Sequence, residues 1–257
     1  MTLLELLAAA RGQLADTGGH TGAAPPGFAY FWQFEDRGCR WRNADLIQWL
    51  ADAEDEACLR ARLLVDDTTP HVARLPVAPG VAELPLSPWV IDVTRAQLES
   101  QPDPLLRAAP DALDARRPGW DRLAGTPRSY CLDGSRLVLT PIPVAPDTLR
   151  LRVIRRPLAP LGATIWTGAP AIWSIAQVRA AAEIWTMTPE IAPIWHGRLL
   201  NWVCAEAYAK ADSETANAAV SADYRARFER DFGPRPSIRA QRQQRDRRPA
   251  VVRAILF

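Results

Sequence analysis

The chain has 257 residues, enough to bury a core as one large domain or two small ones. Its 48% apolar and 23% charged residues are those of a globular protein and exclude a disordered one. A net charge of +2 excludes a molecule that is basic over its whole surface, as a generic nucleic-acid binder would be.

Leu3, Leu6, Leu7, Ala10 and Leu14 recur at helical spacing, which predicts an amphipathic helix over Thr2–Leu14. This segment is short and lacks a basic flank, so it does not read as a signal peptide. Asp16 to Gly27 is rich in Gly and Pro and predicts a loop. Phe28 to Trp41 then concentrates aromatics (Phe28, Tyr30, Phe31, Trp32, Phe34, Trp41), which fit either core packing or an exposed contact loop. Asn43 offers an N-cap for a long helix over Ala44–Leu64. Leu46, Leu50, Ala53, Ala57, Ala61 and Leu64 form its apolar face, and Asp45, Asp52, Asp55 and Glu56 lie largely off it.

From His71 to Arg156 short β-favouring runs alternate with turn signals, around Val72–Val77, Val81–Leu86 and Val90–Val93. Leu105–Leu113 reads as a helical turn or an irregular crossing. Ser129–Leu132 and Arg136–Thr140 flank Asp133-Gly134-Ser135, a hairpin signal. Leu149, Leu151 and Val153 alternate with Arg150, Arg152 and Arg155, the pattern of a half-buried strand. This middle portion predicts a small antiparallel sheet or compact sandwich. Beyond it, Leu161 onward reads as loop, with a short helix over Ser174–Thr186. Thr188-Pro189-Glu190 has the form of a helix start, with a cap, a proline at the first position and an acid near the positive end of the dipole. That helix is expected to run through Ile191, Trp195, Leu199, Trp202 and Val203 to Ala211. Asp212 or Ser213 is expected to cap the next one, with Ala216, Val220, Tyr224 and Phe228 on one side and Gly233-Pro234 as its stop.

Chemistry-bearing patterns are missing. His20, His71 and His196 are isolated from one another, and His196 has no second ligand at i+3 or i+4, so no metal site is expected. Glu54-Asp55-Glu56 reads as a solvated helix face, because adjacent helical residues do not converge on one point. Asp66-Asp67-Thr68-Thr69-Pro70 reads as the end of a helix and the start of a loop. Neither the phosphate-binding glycine patterns nor a GxSxG elbow occurs, and Ser135 is a turn residue. Cys39, Cys58, Cys131 and Cys204 lack CxxC spacing, which points to four reduced thiols. No enzymatic activity and no cofactor are expected. No apolar run reaches membrane-spanning length, so no membrane association is expected either.

The C-terminal stretch carries the most information. Arg239, Arg242, Arg245, Arg247, Arg248 and Arg253 crowd a segment that closes on Val251-Val252-Arg253-Ala254-Ile255-Leu256-Phe257. The arginines could neutralise phosphates, or pair with an acidic groove on a protein while the apolar tip enters a pocket. An unstructured solubilising end is the third reading. The apolar tip favours docking, because a solvated or purely electrostatic tail has no use for it.

In order of elements the chain resembles the head-to-tail adaptor (connector or head-completion) proteins of tailed bacteriophages. The matching stretches are Trp41-Arg42-Asn43-Ala44-Asp45-Leu46, Leu84-Pro85-Leu86, Pro118-Gly119-Trp120, Gly125-Thr126-Pro127 and Leu139-Thr140-Pro141-Ile142-Pro143. They continue with Leu151-Arg152-Val153-Ile154-Arg155-Arg156-Pro157-Leu158, Pro189-Glu190-Ile191, Leu199-Leu200, Glu206-Ala207-Tyr208 and Tyr224-Arg225-Ala226-Arg227-Phe228. The resemblance covers Leu3 to Phe232; Phe28–Arg40 and Ile165–Trp185 look like additions to that plan.

The resemblance implies an α+β protein: a helical bundle or αα-hairpin part, a small antiparallel β insertion and an extended C-terminal tail. Residues 1–70 and 157–235 would form the ring-building helical domain, 71–156 the β-rich insertion, and 236–257 the docking tail. It implies a structural virion protein, made in the host bacterial cytoplasm and residing at the neck. About twelve copies would form a ring under the portal protein, prolong the DNA channel with non-specific DNA contact, and meet tail or neck proteins. Arg239, Arg242, Arg245, Arg247, Arg248, Val251, Val252, Ile255, Leu256 and Phe257 would dock on the portal. Burying the three tip residues offers ~1.5–3 kcal/mol each, against ~1–2 kcal/mol per ordered residue. One tail would thus bind weakly, and ring avidity would make attachment durable. Another neck or tail-completion protein, or a nucleic-acid binder using the arginine-rich tail, are the alternatives.

Overall fold

The computed structural model describes residues 1–16, 38–116, 118–162, 185–210 and 216–237. Among these the chain is mixed α+β, with six α-helices and several antiparallel sheets. Residues 1–63 and 157–235 belong to one compact unit, and 64–156 lie in a second.

In the first unit, α1 (Leu3–Gln13) starts from a capping box in which Thr2 and Glu5 satisfy each other's backbone N–H. Leu3, Leu6, Leu7, Ala10 and Leu14 are buried, as their spacing predicts. Helix α2 (Asn43–Ala61) differs from expectation at both ends. Asn43 is not its cap: Arg42 holds that position without a side-chain bond, and Asn43 Oδ1 instead accepts from Arg11 Nε and Nη2 at 3.2 and 2.6 Å. The helix ends at Ala61, three residues short of Leu64, and Arg62 caps it with a φ of 54°, in the left-handed region without a glycine. Leu64 belongs to a strand.

The expected helix from Thr188 is also corrected. Residues 188–192 are not helical. Ala192 is extended (ψ 141°), as the residue before a proline tends to be, and Pro193 opens a 3₁₀ turn, Pro193–Leu199, that continues as the ten-residue helix Leu200–Ala209. Asn217, rather than Asp212 or Ser213, caps the last helix, Ala218–Phe232, by accepting from the N–H groups of Ala219 and Val220; residues 212 and 213 lie outside the described ones. Its inner side carries Ser221, Phe228 and Phe232, whereas Ala216 is exposed and Val220 and Tyr224 are half-buried.

The helix Leu200–Ala209 packs against α1, α2 and Ala218–Phe232. Trp41 is buried among them, its indole Nε1 donating to the Ala207 carbonyl at 3.2 Å and its ring edge-on to Tyr208. Of the aromatic cluster Phe28–Trp41, Trp41 is thus core; Phe28, Tyr30, Phe31, Trp32 and Phe34 lie outside the described residues, as does most of Leu161–Thr186.

The second unit centres on β10 (Asp147–Arg155). It pairs antiparallel with β4 (Val90–Leu98) along one edge, and with β2 (Arg74–Val77) and β1 (Leu64–Asp66) along the other. Leu149, Leu151 and Val153 are buried and Arg150 and Arg152 exposed, the predicted alternation. A second sheet has the order β3 (Glu83–Pro85), β8 (Arg136–Thr140), β7 (Ser129–Asp133), β5 (Leu106–Arg107). The β7–β8 hairpin turns where the sequence predicts, with Gly134 at φ 55° in the first central position.

Two pairings depart from an all-antiparallel insertion: β5 runs parallel to β7, and β6 (Ala124–Gly125) parallel to β9 (Ile142–Pro143). Parallel strands need a crossover of a dozen or more residues. The helix Pro110–Arg116 and the 3₁₀ turn Trp120–Arg122 provide it between β5 and β7.

Asp66 ends β1, not a helix. Its carboxylate accepts from the N–H and hydroxyl groups of both Thr68 and Thr69 and from Arg155 Nε at 2.7 Å, shaping the turn into the helix Pro70–Ala73. Burial pushes its pKa up, but the Thr69 hydroxyl and N–H, the Thr68 N–H and Arg155 outweigh it and hold it well below the usual carboxylate range.

Candidate functional site

All ten residues expected to dock on a partner, Arg239, Arg242, Arg245, Arg247, Arg248, Val251, Val252, Ile255, Leu256 and Phe257, lie outside the described residues. What the structure does show is the root of that segment. The helix Ala218–Phe232 ends at Gly233, whose φ of 85° suits a residue without Cβ and whose N–H donates to the Glu229 carbonyl at 2.7 Å. Arg60 Nη1 donates to the Gly233 carbonyl at 3.3 Å, and its Nε pairs with Glu56 Oε1 at 2.9 Å. Arg235 Nε reaches the same Glu56 oxygen at 3.2 Å. The Arg60 guanidinium also lies over the rings of Trp202 and Phe228, 5.6 and 5.3 Å from their centroids. One buried carboxylate thus receives two guanidinium groups, one from α2 and one from the first residues past the last helix.

Glu56 therefore does not lie on a solvated face, and neither does Glu54. Glu54 is buried, with its Oε1 accepting from the backbone N–H of Glu190 at 2.6 Å and of Ile191 at 3.3 Å. Burial pushes its pKa up to about 7; the two N–H donors pull the other way, and the charges of Glu190 and Asp55 add to the rise. Glu190 in turn accepts from the N–H groups of Leu158 and Ala159 at 2.6 and 3.1 Å. Two carboxylates thereby clamp the non-helical stretch at 188–192 to α2 and to the segment after Arg156. Sequence reasoning missed both, because a carboxylate that serves distant backbone N–H groups looks like any other polar residue on a helix. Its one legible trace is that Glu54 follows Ala53, a core position of α2.

Of the three histidines, His196 has the ordinary partners of a buried imidazole. His196 is buried, its Nδ1 2.7 Å from the Met1 nitrogen and its Nε2 2.9 Å from the Ile191 carbonyl oxygen; His71 is exposed on Pro70–Ala73, and His20 lies outside the described residues. None of the four cysteines forms a disulfide, and Cys58, Cys131 and Cys204 are buried. Burial pushes Cys131 and Cys204 up to about 11, which keeps them protonated and weakly nucleophilic near neutral pH. Among the described residues no group of three or more His, Cys, Asp or Glu side chains could hold a metal ion, and no helix is long and apolar enough to cross a membrane.

A family model described as SU10 adaptor protein matches residues 1–254, running through both units and most of the C-terminal segment. No curated protein matches the chain.

Proposed function

The chain belongs to the SU10 adaptor protein family and is an adaptor-type structural component of a phage virion; from that premise we propose that it joins the head to the tail. Copies assemble as a ring beneath the portal, extend the DNA channel and present a surface to tail or neck proteins. Residues 1–63 and 157–235 build the ring, and the segment after Gly233 docks on the portal. The protein works by assembly and catalyses no reaction. The observation that carries this reading is the length of the family match, which runs through the arginine-rich segment to residue 254. The anchoring of Gly233 and Arg235 by Arg60 and Glu56 supports it, because a docking segment transmits load only if its first residues are fixed.

The test is affinity capture with mass spectrometry from cells producing the whole assembly, using full-length bait and bait truncated after Gly233. The expected result is co-purification of a large ring-forming portal subunit with the full chain and its loss on truncation. Capture of tail proteins without the portal would instead make this another neck or tail-completion protein. Equal capture by both baits would remove the docking role from the segment.

A further inference from the structure

The sheet around β10 carries an arginine face that nothing above uses. Arg150 stands between Arg74 on β2 and Gln97 on β4, and Arg152 stands directly opposite Arg95 on β4. All four arginines are exposed. Opposed side chains on an antiparallel pair have Cβ atoms ~5 Å apart, and alternate residues of one strand are ~7 Å apart, so the four charges form one patch. Like charges directly opposite each other destabilise a sheet. Relief within the protein is slight: Glu99 pairs with Arg74 at 3.1 Å, and Arg95 donates to the Gln97 side chain at 3.0 Å. Arg150 and Arg152 make no ion pair among the described residues.

We propose that this face, built from Arg74, Arg95, Arg150 and Arg152, binds the phosphate backbone of duplex DNA without regard to sequence. The inference rests on the channel reading above for its place in the particle, and it names the residues that would meet the DNA there. Two observations favour a polyanion over an acidic protein. The central rows, Arg74–Arg150–Gln97 and Arg152–Arg95, hold no apolar side chain, whereas protein interfaces are depleted of charge at their centres and carry it at the rim. Backbone phosphates need only charge and fork-shaped donors, which arginine supplies. Base reading is not expected: the face spans three strands, wider than the two-stranded ribbon that the major groove admits.

The test is the salt dependence of affinity for a fluorescent random-sequence duplex, measured on the full chain, on R150Q/R152Q and on R150K/R152K. Each phosphate contact contributes ~0.9 to the slope of log K against log salt. Loss of two contacts should therefore lower the slope by about two and shrink the affinity loss between about 50 and about 200 mM salt roughly tenfold. The lysine pair should keep the parent slope. Binding that depends on the C-terminal arginines alone would leave the slope of R150Q/R152Q unchanged, and that result, or no binding by the parent chain, overturns the proposal. A slope that falls for polyglutamate but not for duplex assigns the face to an acidic protein and overturns it too. Circular dichroism and melting of each variant show that the fold is retained; the lysine pair, which keeps both positive charges on slightly shorter side chains, separates the loss of charge from the effect of substitution itself. Portal capture is scored separately, so failure of the adaptor reading alone would leave the duplex slopes intact.

Discussion

Replacing Glu54 by glutamine removes one titratable proton and keeps the oxygen that the Glu190 and Ile191 amides need. In the unfolded chain this carboxyl titrates near its ordinary value of 4.5, and in the folded chain near about 7. Between these values the folded state holds a proton that the unfolded state has lost. The stabilisation is fully present below about 4.5 and disappears as pH rises through about 7. The gap of about 2.5 pH units corresponds to ~3 kcal/mol at most, at 1.36 kcal/mol per unit. For a chain of this size that is roughly 6–12 °C in Tm. The assay is thermal melting by circular dichroism at intervals from about pH 5 to about pH 8. Glu54→Gln should match the parent chain at the acid end and exceed it at the alkaline end, because the buried charge is gone. Glu54→Ala should lose ~2–6 kcal/mol at every pH, since both amides are left without an acceptor. Parent and Glu54→Gln curves that stay parallel across this window would refute the assignment of a buried, high-pKa carboxyl.

Asp66 acts with the opposite sign. Its lowered pKa contributes stability that is present above the ordinary aspartate range and is lost as pH falls below it, so Asp66→Asn should remove ~3–5 kcal/mol at neutral pH and flatten the acid limb of a denaturation series. Asn217→Ala should cost ~1 kcal/mol in urea unfolding through loss of the last helix's cap. Glu56→Gln should accelerate amide hydrogen exchange at Gly233 and Arg235 several-fold, because the carboxylate that holds Arg235 and Arg60 is gone; an unchanged exchange rate would mean that the root does not restrain the segment.

Much of the secondary structure was legible where one local signal acted alone. The leucine spacing of α1, the alternation of β10, the Gly134 turn and the Gly233 stop each depend on neighbours in the chain. The failures come where a distant group competes. Asn43 looked like a cap until Arg11, thirty-two positions earlier in sequence, took its side-chain oxygen. Thr188-Pro189-Glu190 looked like a helix start, but Glu54 takes the Glu190 and Ile191 amides, and Pro193 sets the start later. The parallel β5–β7 pair is set by the crossover between them, which no short window of sequence displays. Of the functional surface, the arginine tail was visible as composition. The β10 face was not, because Arg74 and Arg95 become neighbours of Arg150 and Arg152 only through strand pairing.

The pairing of Leu64 with Arg155 has a consequence for how such a chain can be rebuilt. These residues are the first and nearly the last of the inserted unit, and the antiparallel β1–β10 ladder holds its two ends about 5 Å apart. To the helices on either side, the span from 64 to 156 is equivalent to a short closed bridge, whatever its contour length. Loop-closure entropy grows by only ~0.6 kcal/mol per doubling of length, and here the ladder meets that cost within the insert itself. A unit that closes its own ends is a cassette: loops within it can lengthen, shorten or be exchanged to suit a different neighbour while the helices that flank it keep their spacing.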